Sequence, residues 1–129
     1  MSRHTVRLKD IVVGWSELEV ADPTLGRARG RFRQGLGYEL VQPVFLLYSE
    51  AVPQPGGETV DQDKLDRYHR SRDALGLSLE DDAGREILTS AVHISDYPER
   101  KGSALEIEVL ISDPEYWRRR GPSVVVRTQ

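Results

Sequence analysis

The chain has 129 residues and no cysteine. That excludes a disulfide framework, a thiolate zinc site, an iron–sulfur cluster and a cysteine nucleophile. Histidine is scarce, at three residues, and there is one methionine. Long apolar runs are missing too: Val44-Phe45-Leu46-Leu47-Tyr48 falls far short of the ~20 residues that span a bilayer. Met1 to Arg7 carries no apolar signal-peptide core. A soluble cytoplasmic protein with no membrane partner is the expectation. There is no G-x-G-x-x-G after a strand, P-loop, H-E-x-x-H, G-x-S-x-G or EF-hand loop. No cofactor and no metal are expected.

What is present is charge. The 18 basic residues, 15 of them arginine, stand against 21 acidic ones, for a net charge of −3. The sign argues against a chain devoted to gripping nucleic acid. The distribution is uneven. Residues 1–57 carry 7 basic and 6 acidic groups, residues 58–115 carry 7 and 15, and residues 116–129 carry 4 and 0. Acidic segments of one copy meeting basic segments of another would make a homodimer. The length suits one domain, 1–129, with a core of its own.

Period-two alternation is the clearest pattern. Leu105, Ile107, Val109 and Ile111 alternate with Glu106, Glu108 and Leu110, which reads as a half-buried strand over 104–111. Residues 5–20 read as one long strand bent near Gly14, and 27–33 as the next, after a turn at 21–26. Tyr38 to Ala51 is apolar on both faces and reads as a central strand, with Pro43 at a bulge. A helix is predicted over about 60–75, with Thr59 and Gln62 as a capping box and Gly76 as its left-handed end. Asp81-Asp82-Ala83-Gly84 turns a hairpin, and its second arm runs on to Ile94. Asp113-Pro114-Glu115 opens a short helical turn near 113–119, and Val124–Val126 reads as a last strand. The fold class is α+β, mainly β: a strongly curved, mostly antiparallel sheet with the 60–75 helix packed on it. A partly open barrel and a sandwich are the alternatives.

Four arginines on one strand face, Arg27, Arg29, Arg31 and Arg33, form a stripe suited to phosphates or carboxylates. Glu17 and Glu19 on the preceding strand are expected to pair with them across the hairpin. With Trp15 and Tyr38 the arginines are the candidate ligand-binding residues. Candidate acid–base residues are His93, Asp96, Glu106 and Glu108. His93 and Asp96 meet only if the chain turns between them. The wet face of a strand is the plainer reading of the two glutamates. His69 has Asp66 and Asp73 within one helical turn, but Asp66 also has Arg70 at i+4, an ordinary helix pair. Tyr116-Trp117-Arg118-Arg119-Arg120 has the composition of a nucleic-acid element, with its arginines pointing in different directions.

With no catalytic motif, the sequence favours a non-catalytic β-rich module that binds a small molecule or a protein. A small hydrolase- or isomerase-type enzyme acting on an anionic substrate is the alternative. A weak nucleic-acid binder using the Arg27–Arg33 row comes third.

Overall fold

Two non-glycine residues with positive φ set the first strands in the computed structural model, which describes residues 3–53, 60–98 and 105–120. β1 (His4–Leu8) and β2 (Ile11–Ser16) form a hairpin through Lys9, at φ 57°, and Asp10. The chain then leaves the ladder at Glu17-Leu18-Glu19, with Leu18 at φ 46°, and rejoins it as β3 (Val20–Asp22). β4 (Arg27–Gln34) runs beside both, with Gly14 and Trp15 opposite Gln34 and Arg33, and Val20 and Asp22 opposite Arg29 and Arg27. The single strand expected over 5–20 is therefore three strands. Its breaks fall at Lys9-Asp10 and at 17–19, not at Gly14. Neither break carries a glycine, so neither announces itself as a turn.

The remaining strands are β5 (Ser78–Glu80), β6 (Glu86–Ile87), β7 (Thr89–Ser95) and β8 (Leu105–Ile111). All eight are antiparallel, in the order β6-β5-β1-β2-β4-β8-β7 with β3 on β4, and the sheet is nearly closed and barrel-like. The α+β, mainly β reading holds. Alternation decides what enters the core. Ala28 faces Val109, Val92 faces Val109, and Ile94 faces Ile107, all buried on one side. Each of these valines and isoleucines contributes roughly 1.5–3 kcal/mol relative to exposure.

The expected central strand at Tyr38–Ala51 is instead a helix, α1 (Tyr38–Ala51). Its buried residues Tyr38, Val41, Phe45 and Ser49 recur at helical spacing, so one face packs inward. Its 14 residues also exceed an ordinary strand, typically about 5–6 residues. Pro43 is the sixth residue of the helix, and the only ladder bond it forfeits is the one to Glu39. α1 packs on β2 and β7.

α2 (Gln62–Leu75) matches the predicted helix within two residues. Its N-cap is Asp61, whose carboxylate accepts from the Lys64 N–H at 3.2 Å. Thr59, the expected cap, lies outside the described residues. Gly76 ends the helix at φ 65°, where a Cβ would be strained. Tyr68 is its buried anchor, and α2 packs on α1 and β7. The β5–β6 hairpin forms as expected, its turn tied by Asp81 accepting from the N–H groups of Ala83 and Arg85, but its second arm does not run on to Ile94: β6 ends at Ile87, and after Leu88 the chain continues as β7, which pairs with β8. α3 (Pro114–Arg120) is capped by Asp113, which accepts from Glu115 N–H at 3.0 Å and Leu88 N–H at 3.2 Å. Those bonds, the Leu88 N–H foremost, hold the Asp113 carboxyl below its ordinary range. The strand expected at 124–126 lies outside the described residues.

Candidate ligand-binding site

Because Ala28 and Phe32 turn into the core, the four arginines of β4 turn outward. The acidic residues nearest to them in the sheet come from an unexpected side. Arg29 stands opposite Glu108 and Arg31 opposite Glu106 across β8, and Arg27 Nε pairs with the Glu108 carboxylate at 3.2 Å. Glu17 and Glu19, the expected partners, are not on a regular strand and form no ion pair with the arginines. They sit on the excursion at 17–19. That excursion is tightly built. Leu18 is fully buried and its N–H donates to Ser16 Oγ at 3.0 Å. Arg120 Nη2 donates to the Leu18 carbonyl at 2.8 Å. Glu19 folds over Gly30, and its Oε1 accepts from the Arg31 N–H at 3.1 Å. A Cβ at Gly30 would overlap that carboxylate and stand 2.9 Å from the Glu19 nitrogen, so only glycine admits this approach.

Beside the excursion lies a groove of about 210 Å³. Arg3, Arg31 and Arg33 line it with Trp15 and Ser16, and Glu17 and Glu19 form its wall. Strand register produces this grouping. Trp15 pairs with Arg33, and His4 pairs with Ser16, which brings Arg3 alongside. The Arg3 guanidinium stands 5.0 Å from the Trp15 ring centroid, a cation–π contact. Among the described residues, none of Arg3, Arg31 and Arg33 has a carboxylate within ion-pair reach.

A larger cleft of about 470 Å³ opens on the other side of Glu17 and Glu19, against the 81–85 turn and α3. Its arginines are already engaged. Arg85 Nε holds Asp81 at 3.0 Å, Arg119 stands 3.8 Å from the same carboxylate, and Arg120 donates to Tyr116 Oη at 2.6 Å as well as to Leu18. Burial works against ionisation of Asp81, but the Arg85 N–H and guanidinium and the Ala83 N–H outweigh it and hold the carboxyl below its ordinary range. Tyr116 Oη also lies 3.2 Å from His4 Nε2.

The acid–base candidates do not assemble. His93 packs among the rings of Phe45, Tyr48 and Tyr68, with the Tyr48 centroid at 4.4 Å. Tyr68 hydrogen-bonds to its Nδ1, and Nε2 meets Ser95 Oγ at 3.1 Å. Burial pushes its pKa down to about 4, with the charges of Arg72 and His69 acting in the same direction. Asp96 is 6% exposed and has other partners: Tyr38 Oη donates to it at 2.8 Å and Gln42 Nε2 at 2.9 Å. Glu108 stands opposite His93 and Glu106 opposite Ser95 in the β7–β8 register, as they stand opposite Arg29 and Arg31 on β4, but among the described residues the ring nitrogens of His93 bond to Tyr68 and Ser95 and to neither glutamate. Tyr38, named with the ligand-binding candidates, is buried against Phe32 and Asp96, and burial followed by that carboxylate pushes its phenol up. It does not line the groove, and neither do Arg27 and Arg29. His69, Asp66 and Asp73 do not gather: Asp66 accepts from Gln62, Asp73 pairs with Arg72, and no metal-competent group of side chains occurs among the described residues.

Sequence reasoning found Trp15, Arg31 and Arg33 but missed Arg3, Ser16, Glu17 and Glu19 as lining residues. The missing signal was the hairpin at Lys9-Asp10, which alone sets residue 3 against residue 15. None of the described helices is long and apolar enough to cross a membrane. No protein family, curated protein or solved structure matches this chain.

Proposed function

We propose that the protein is a non-catalytic binding module that holds a small anionic molecule in the groove between Trp15 and Arg33. One observation carries the reading: three guanidiniums, none with a carboxylate in ion-pair reach among the described residues, line one groove with an indole. Arginine forks match carboxylate and phosphate geometry, and the indole face accepts an apolar or planar portion. The larger cleft is the weaker candidate, since a ligand there must displace existing partners of Arg85, Arg119 or Arg120. A groove of about 210 Å³ lies below the roughly 300–1,000 Å³ of drug-sized pockets, so its ligand is metabolite-sized.

The enzyme alternative has less support. A general base needs hydrogen-bond reach to a substrate proton, and His93 and Asp96 are enclosed by their own partners. The nucleic-acid alternative needs a continuous cationic stripe, whereas Arg27 is paired with Glu108 and Arg29 stands opposite the same carboxylate.

The test is calorimetric titration of the full chain with 3-phenylpropionate and with inorganic phosphate. Saturable binding is expected for 3-phenylpropionate, weakened about tenfold or more by Arg33→Ala or Arg31→Ala, the scale of a lost charged hydrogen bond. Failure of both probes to bind, or binding indifferent to both substitutions, would overturn the reading.

A further inference from the structure

We infer that the ligand of the Trp15 groove is a free α-amino carboxylate, its carboxylate on Arg31 and Arg33 and its ammonium group on Glu17. The inference rests on the groove being the binding site and adds the chemical class. Its basis is the difference between two glutamates on the same wall. Glu19 is committed: it accepts from the Arg31 N–H and lies across Gly30. Glu17 is half-buried, lines the same groove, and makes no ion pair or hydrogen bond among the described residues. A half-buried carboxylate without a partner beside an anion site is costly if the ligand is purely anionic, because like charges then share a confined space. A ligand carrying an ammonium group turns that cost into a charge-assisted hydrogen bond.

The charges lining the groove agree. Arg3, Arg31 and Arg33 face Glu17 and Glu19, so the site presents both signs within one small volume. An ammonium and a carboxylate on one carbon are the most compact pair that meets both. The amino acid side chain then lies toward Trp15. Glu17 also acts as a filter, weakening the hold on simple carboxylates and phosphates relative to a ligand that carries an ammonium group.

The experiment compares phenylalanine, 3-phenylpropionate and phenethylamine as probes of the full chain by calorimetry. Phenylalanine is expected to bind about tenfold tighter than 3-phenylpropionate, which lacks only the ammonium group, with phenethylamine weakest. Glu17→Gln is expected to reverse the order of the first two. Arg31→Ala is expected to weaken both. Wild-type binding of 3-phenylpropionate as tight as that of phenylalanine would overturn this inference and leave the groove reading standing. Failure of all three probes and of phosphate would overturn both. The wild-type comparison needs no variant to fold, and Glu17→Ala gives a second route to the same reversal.

Discussion

The Tyr68 hydroxyl hydrogen-bonds to Nδ1 of His93, joining α2 to β7 inside a cluster of rings. Burial raises the Tyr68 phenol well above its ordinary value, and the Arg72 charge offsets this only in part, so the proton stays on the hydroxyl. Burial, with the charges of Arg72 and His69, keeps His93 neutral near pH 7.

That relationship has a pH signature. Folded His93 titrates at about 4, against 6.5 for an unperturbed histidine. Between those values the unfolded chain binds more protons than the folded one, so this group's stabilisation is lost as pH falls from 6.5 to 4 and changes no further below. The full effect is about 3 kcal/mol. Urea titrations from pH 4 to 7 should show His93→Gln losing less stability than wild type across that window. A wild-type–variant difference independent of pH would refute the assignment.

Asp96 anchors α1 to the end of β7. Asp96→Ala leaves the buried Tyr38 hydroxyl without its acceptor and should cost about 1–3 kcal/mol in chemical denaturation. Tyr38→Phe should cost less, since Gln42 still donates to the carboxylate. The double variant should fall short of the sum, because both changes remove one bond. Strict additivity would show that the bond contributes nothing.

Gly30→Ala and Gly76→Ala separate two roles of glycine. At Gly76 a Cβ meets nothing within 4 Å, so the cost is the left-handed backbone alone, about 1 kcal/mol. At Gly30 a Cβ collides with Glu19 and the Leu18 backbone, and about 1–3 kcal/mol is expected from overpacking. Displacing Glu19 should also weaken 3-phenylpropionate binding, which Gly76→Ala should leave unchanged. Equal effects on stability and binding at both positions would contradict this.

Pro43→Ala should raise thermal stability. The proline side chain is exposed, and alanine restores the N–H that bonds to Glu39 while favouring the helix. The gain is about 1 kcal/mol, since proline's restraint of the unfolded chain is lost at the same time. A destabilised variant would mean that the ring packs against something the helix needs.

How far the chain could be read in advance depended on whether a signal was local. The 105–111 alternation, the Gly76 stop, the Asp81–Gly84 turn and the Asp113 cap are each written in a few adjacent residues, and each forms. Tyr38–Ala51 was misassigned because its apolar residues satisfy both periods; its length was the better guide. Glu17 and Glu19 were misplaced because the break at Leu18 depends on residues far along the chain: Gly30, which leaves room, and Arg120, which holds the carbonyl. The arginine row was legible as a row. Its partners were not, since β8, which supplies Glu106 and Glu108, is more than 70 residues downstream.

By itself, then, the sequence determined the mainly β class, the absence of thiol chemistry and an outward stripe of guanidiniums, because composition and short periods act through neighbouring residues. Only the tertiary structure decided which of those guanidiniums remain unpaired. Pairing across strands depends on register, and register depends on every turn between. A hairpin at Lys9-Asp10 brings Arg3 to Trp15, and an excursion at Leu18 turns Glu17 from an expected partner of the arginines into the far wall of their groove.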